Sequence, residues 1–374
     1  MMEPTWRILQ PASVRPVLLP LASAALLSSV VLMFALTVSN SKPSPSTGPA
    51  SLLAFTPTSS PDAFTFTIVQ IADIHLGEAE DLDWGPEQDR KTYRALERIL
   101  SHQRADFIIL SGDQLTGNNV DENATAYYKI LGDFIDSYQT PWGIIFGNHD
   151  DSDLEHENGT VSQAKTSRRE LLQSIQHYEY GMTRGLDAPD DVFGVSNYVL
   201  NVPLQGKIGV QLLLLDSGGG SLPSDIQQSQ LDWISTIRVK DTPAVAFQHI
   251  PTQQHTYNED KCVGSNGDGG IAPLDADAGI VNYLNNDGNV HILAVGHNHG
   301  NSYCCPIQTL SVCFGRHSGY GGYGKFDRGA RVYELTVHVK NGGFSYKSWV
   351  QMESGEVVEE YVPEHTEDAV HRSF

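Results

Sequence analysis

The stretch that decides the fold is Phe64–Gly77, FTFTIVQIADIHLG. Its first nine residues carry Phe, Ile and Val on both faces of an extended chain, and the run then breaks into Asp73-Ile74-His75. A strand that is apolar on both faces has to be covered on both sides by other layers. Five more runs share this character: DFIILS (106–111), WGIIF (142–146), VQLLLL (210–215), AVAFQ (244–248) and VHILAV (290–295). Between them lie segments with helical spacing. In EQDRKTYRALERILSHQR (87–104), Tyr93, Leu96, Ile99 and Leu100 share one face. SRRELLQSIQHYEY (167–180) and SDIQQSQLDWISTI (224–237) are further helices, with Ser224 expected as an N-cap. Strands alternating with helices predict an α/β fold with two sheets sandwiched between helices.

The chemistry is written at the ends of these runs. FTIVQIA is followed by Asp73 and His75, DFIILS by Gly112-Asp113, and WGIIF by Gly147-Asn148-His149-Asp150. AVAFQ ends in His249, and HILAV runs into Gly296-His297-Asn298-His299. In α/β folds ligands bind outside the carboxyl ends of strands, so these tips can converge on one crevice. Residues i and i+2 of an extended segment point the same way, so Asp73 and His75 can share a target, as can His297 and His299. The glycines before Asp113, Asn148 and His297 allow sharp turns. A mixture of carboxylate, imidazole and amide oxygen suits Mn, Fe or Zn better than Ca, which prefers oxygen alone. Asp113, with two oxygens and no neighbouring ligand residue, fits a bridge between two ions.

Asp-x-His, Gly-Asp, Gly-Asn-His-Asp, a single His and Gly-His-x-His, in that order over about Gln70 to Gly300, resemble the calcineurin-like metallophosphoesterase signature. The Gly-rich CFGRHSGYGGYGKFDRGARVYEL (313–335), with GVSNYVLNV (194–202) upstream, is similar to the purple-acid-phosphatase-related branch that includes a phosphoprotein phosphatase. The resemblance implies a four-layer α/β/β/α sandwich with metals at the carboxyl ends of the strands. It implies two divalent or mixed-valence transition-metal ions (Mn, Fe or Zn). Asp73, His75, Asp113 and His299 would hold the first, and Asp113, Asn148, His249 and His297 the second. His149 would stay off the metals and help protonate the leaving group or bind the transferring phosphoryl, with Asp150 able to orient its ring. The implied activity is metal-dependent phosphoric ester hydrolysis through a bridging hydroxide, acting as a phosphomonoesterase on a phosphorylated protein or small molecule. A phosphodiesterase with the same metals and an inactive phospho-ligand-binding membrane protein are the alternatives. One position departs from the pattern. Three residues after the motif Asp, protein-phosphatase members carry Asp and purple members Tyr, whereas here stands Thr116.

Composition sets the compartment and the partners. A formal net charge of −21 makes a nucleic-acid backbone an unsuitable partner, because phosphate neutralisation needs a basic face. From Val17 to Val38 the chain is apolar and uncharged, long enough to cross a hydrocarbon core of roughly 30 Å, with Arg7 and Arg15 before it. Residues 1–39 therefore read as a signal anchor, with a cleaved signal peptide as the competing reading. Residues 40–63 read as a Pro/Ser-rich stalk, 64–351 as the folded domain and 352–374 as an acidic tail. The sequons at Asn123 and Asn158, and four cysteines, agree with a secretory location, either membrane-anchored with the domain extracytoplasmic or secreted. Four cysteines allow three pairings, among which a Cys304–Cys313 bridge across a hairpin is expected. His255 and His317 read as loop or surface residues, Asp216 as a cap or turn, and Trp142, Trp233 and Tyr198 as packing residues. Arg316 is the one cation watched for a substrate phosphate.

Overall fold

A computed structural model describes residues 52–364, apart from 121–122, 157 and 184–187. Each of the six apolar runs forms a strand, and they fall into two sheets. In the first, Ala63–Ile71, Phe107–Ser111 and Trp142–Ile145 run parallel. The sheet continues antiparallel on the other side through Gly329–His338, Gly343–Met352 and Val357–Tyr361. In the second, Lys207–Leu214, Ala244–Phe247, Val290–Val295 and Leu310–Phe314 run parallel, with Tyr198–Leu204 and Cys304–Ile307 as antiparallel edges.

The two-sided apolar runs are explained by three separate cores. Phe66, Ile68, Phe107 and Ile109 meet Leu212, Leu214, Val245 and Ile292 between the sheets. Their neighbours Val69, Ile71, Ile108 and Leu110 face outward onto Leu96, Ile99, Tyr128 and Leu131 of the helices Trp84–His102 and Ala124–Asp136. Leu213, Leu215, Ala246 and Leu293 pack outward on Trp233, Ile234, Val281 and Leu284, from the helices Gln228–Ile237 and Ile280–Asp287. Alternation along each strand thus feeds two cores at once, which gives the expected helix–sheet–sheet–helix layering. Beneath the strand tips, buried Gln70 ties the sheets together. Its Nε2 donates to Ser111 Oγ and to the Val295 carbonyl, both at 3.0 Å, and its Oε1 accepts from Tyr333 Oη at 2.8 Å.

Several expectations need correction. The folded domain extends beyond 64–351 at both ends. Leu53 and Phe55 of the expected stalk pack into the inter-sheet core, and Thr56–Pro57 pairs with Phe64 and Thr65. Val357–Tyr361 of the expected tail is an edge strand whose Tyr361 is buried. In both segments scattered apolar residues gain a partner that local composition does not reveal. Ser224 ends a short strand, and Gln227 takes the N-cap position instead. Helix Arg168–Ile175 is capped by Ser167, whose side chain accepts from Glu170 N while Glu170 returns a bond to Ser167 N. The hairpin disulfide Cys304–Cys313 is present, joining residues directly paired across the strands, and Cys262–Cys305 completes the set. The run Val17–Val38 lies outside the described residues. Among those described, no helix is long and apolar enough to cross a membrane.

Candidate metal centre

The seven candidate ligands all sit just past the carboxyl ends of parallel strands, and they meet between the two sheets' tips. Asp73, His75 and His299 bring one ligand atom each within 4.8 Å of one another, and Asp113, His249 and His297 do the same. The two groups adjoin through Asp113 Oδ2, which lies 3.1 Å from His249 Nε2 and 3.6 Å from His75 Nε2. Asp113 Oδ1 is occupied otherwise, accepting the His149 N–H at 2.8 Å. One carboxylate oxygen, not two, therefore faces both groups.

The route by which these side chains converge differs from the expected strand alternation. Asp73, His75, Asp113 and His297 all have left-handed backbone, with φ of 56°, 47°, 53° and 74°. Such conformations are uncommon outside glycine and concentrate at functional sites. Asp73 and His75 reach one group through these bends. His297 and His299 do not share a target; they belong to different groups. Close approach is allowed by Gly147, where an added Cβ would lie 2.2 Å from Asp113 Oδ1. It is allowed again by Gly322, at φ 71°, where a Cβ would lie 2.4 Å from His299 Cε1.

The donor chemistry fits cations. Carbonyls can only accept, so the 3.0 Å contact of His249 Nδ1 with Ser111 O, and the 2.8 Å contact of His299 Nδ1 with Tyr323 O, put hydrogen on Nδ1. In both rings Nε2 is then the nitrogen turned toward the other candidate ligands. His75 Nε2 and His299 Nε2 face each other at 3.0 Å. Asn148 Oδ1 and His297 Nδ1 are buried without a hydrogen-bond partner. Burial holds His75 well below the usual imidazole range and brings His297 and His299 down to about 3 and 4, so these rings are neutral. Burial also pushes Asp73 up to about 7, reinforced by the charge of Asp113. For Asp113 burial acts upward, but His249 and His149 beside it hold it well below the carboxylate range. His249 in turn is raised to about 9 by Asp113 against the opposing effect of burial. A buried crowd of acids and lone-pair nitrogens is the environment that bound cations relieve.

His149 lies outside both groups, its ring 5.0 Å from that of His75. Its Nδ1 is 3.2 Å from Asn118 Oδ1. The orienting contact expected from Asp150 is absent. Asp150 is buried, and its oxygens accept from the backbone N–H groups of Asp113, Gln114, Leu115 and Gly147 at 2.7–3.1 Å and from Tyr128 Oη at 2.9 Å. It fastens the Asp113 loop to the Asn148 loop. Thr116 Oγ1 sits 3.4 Å from His75 Nδ1, so the residue that departs from the pattern attends His75 rather than His149.

Other residues differ from their expected places. His317 is buried and packs on His299 with ring centroids 4.0 Å apart, while Tyr323 stacks on His299 within 8° of parallel. Both lie in the Gly-rich stretch 313–335, whose composition does not reveal these ring contacts. His255 is also buried, its Nδ1 bonded to Thr252. Arg316 is engaged elsewhere, by Asp327 O at 2.8 Å and Ser302 Oγ at 3.2 Å. Asp216 forms a buried ion pair with Arg168, which also pairs with Asp151 and donates to the carbonyls of Gly147 and Gly219 at 2.8 and 2.7 Å. No sequence signal separates Arg168 from the Arg169 beside it. Trp142, Trp233 and Tyr198 are buried packing residues, as expected.

Residues 66–301 match the family described as Calcineurin-like phosphoesterase. The chain is 26% identical to Probable inactive purple acid phosphatase 28 of Arabidopsis thaliana, over 74% of this chain and 76% of that protein. It is 27% identical to Phosphatase DCR2 of Saccharomyces cerevisiae, over 75% of this chain and 53% of that protein. Among solved structures it is similar to a dimetal phosphatase from Danio rerio, with a TM-score of 0.48 and 14% identity over 79% of this chain and 98% of the other. It is also similar to a purple acid phosphatase from yellow lupin seeds, with a TM-score of 0.46 and 12% identity over 79% and 53%.

Proposed function

The chain belongs to the calcineurin-like phosphoesterase family, and from that premise we propose that it is a metal-dependent phosphomonoesterase acting on a phosphorylated protein or small molecule. The observation that carries this reading is the pair of buried ligand groups joined through Asp113 Oδ2, with Asn148 Oδ1 and His297 Nδ1 buried and without a hydrogen-bond partner. Asp73, His75, Asp113 and His299 would hold one transition-metal ion; Asp113, Asn148, His249 and His297 would hold the other. When bound, two such ions supply charge neutralisation at phosphate oxygens and a water acidic enough to attack at neutral pH. The chain's own groups do the rest. The Ser111 and Tyr323 carbonyls fix the tautomers of His249 and His299, and Asp150 keeps the Asp113 and Asn148 loops in register. His149, outside both groups, holds the proton that the leaving oxygen requires, a contribution of about 10²–10⁴ in rate.

Three relatives bear the name of a probable inactive purple acid phosphatase, which favours a second reading as a phospho-ligand-binding protein. Against it, every one of the seven expected ligand positions is filled in this chain. The test is turnover by chain carrying two ions, on an aryl phosphate, its bis-ester and a phosphoserine peptide. Faster monoester hydrolysis supports the proposal, and faster diester hydrolysis makes the enzyme a phosphodiesterase. No turnover by fully loaded chain establishes the binding reading instead.

We place the domain outside the cytosol, either membrane-anchored through the N-terminal segment or secreted. Two disulfides support this, as do exposed Asn123 and Asn158 at the sequons. Glycosidase treatment that shifts the mass, and carbonate extraction that does or does not release the chain, test the location and the anchor separately.

A further inference from the structure

We infer that Asn118 is the positioning residue of His149, holding its hydrogen on Nδ1 so that Nε2 is the atom that gives up a proton. Asp150 is already saturated by four backbone N–H groups and Tyr128, and Thr116 faces His75. The hydrogen-bonding contact recorded for the His149 ring is Asn118 Oδ1, 3.2 Å from Nδ1. An amide oxygen only accepts, so the bond requires Nδ1–H.

The loop that presents Asn118 is built for this contact. Gly117 N donates to the His149 carbonyl at 2.8 Å, and a Cβ at Gly117 would lie 2.2 Å from that same oxygen. Glu155 N donates to the Asn118 carbonyl at 3.0 Å, and Asn119 N closes a turn on Thr116 O at 2.8 Å. Asn118 is thereby held from both sides, while the His149 backbone is held by Asp113 Oδ1. When doubly protonated His149 donates, the Nε2–H bond breaks, an O–H bond forms on the departing oxygen, and the electron pair stays on Nε2. The product imidazole is then the Nδ1–H tautomer that Asn118 already binds, so no ring rotation or proton shift accompanies the step. A neutral amide does this without placing a further negative charge in a site that already holds Asp73, Asp113 and Asp150.

The inference rests on the proposed phosphoesterase reading for its kinetic consequence, but not for its spectroscopic one. ¹⁵N NMR of the His149 ring in full chain, assigned with His149→Gln, should show Nδ1–H as the neutral tautomer. Asn118→Leu, which keeps the size and removes the acceptor, should lose that preference, and Asn118→Asp should restore it. Kinetically, a serine phosphate needs the proton more than an aryl phosphate does. Asn118→Leu should therefore lose at least about tenfold more kcat on the serine ester, with KM little changed, and Asn118→Asp should recover most of it. An Nε2–H tautomer in the wild type, or equal losses on both esters, overturns the inference. Absence of wild-type turnover overturns the phosphoesterase reading instead, and the tautomer still decides the role of Asn118.

Discussion

Asp113 meets His149 through the backbone: its Oδ1 accepts the His149 N–H at 2.8 Å, leaving Oδ2 alone to face His249 and His75. The proposed bridging oxygen and the proposed proton donor are therefore set by one carboxylate. Asp113→Asn removes the charge shared by both ligand groups. The variant should bind at most one transition-metal ion per chain by elemental analysis, where the wild type is expected to bind two, and its kcat should fall on the order of 10²-fold or more. Undiminished metal content would show that Asp113 is not the bridge.

Arg168 is buried with both of its carboxylate partners, and it donates to the carbonyls of Gly147, which precedes Asn148, and of Gly219, whose backbone packs against Asn148. Arg168→Met leaves Asp151 and Asp216 buried without a counter-charge. Removing one partner of such a pair costs about 3–5 kcal/mol, which should appear as a lower urea midpoint at unchanged slope. Arg169, exposed beside it, should tolerate the same substitution with a change within about 0.5 kcal/mol.

His291 packs on Phe344 with ring centroids 4.5 Å apart, and burial, with the Arg238 charge nearby, lowers it to about 4. A lowered folded value means that the unfolded chain takes up a proton, near pH 6.5, before the native state does. Stability from this group is therefore full above about pH 6.5 and declines as pH falls toward 4, by about 1.4 kcal/mol per unit. Urea unfolding at pH 7, 6 and 5 should show a shallower loss in His291→Leu than in the wild type. Parallel pH profiles would mean that His291 titrates normally.

Thr116 stands where similar purple enzymes carry a metal-bound tyrosine, and its hydroxyl is 3.4 Å from His75 Nδ1. The nearby phenol, Tyr323, gives its hydroxyl to Asp268 at 2.8 Å and accepts the His299 N–H. Iron-loaded chain is expected to lack an intense visible charge-transfer band. His75→Ala should empty one of the two ion sites, while Thr116→Ala weakens iron binding by less than about tenfold. A visible band abolished by Tyr323→Phe would place a phenolate on the metal.

What the sequence determined by itself is the frame: six doubly apolar runs gave two covered sheets, and the ligand residue types at their ends marked the crevice. Those signals are local, because strand and tip are contiguous in the chain. The Cys304–Cys313 hairpin was legible for the same reason. Only the tertiary structure decided which atoms meet. It put His297 and His299 in different groups, as the family resemblance implied and strand alternation did not, because left-handed turns replaced the extended geometry that alternation assumes. It gave His149 to Asn118, spent Asp150 on backbone amides, and buried Arg168 and His317, whose neighbours come from loops distant in sequence. A residue's type and spacing fix what it can bond. Its partner is fixed by which loops the packed sheets bring to the same edge, a property of the whole chain.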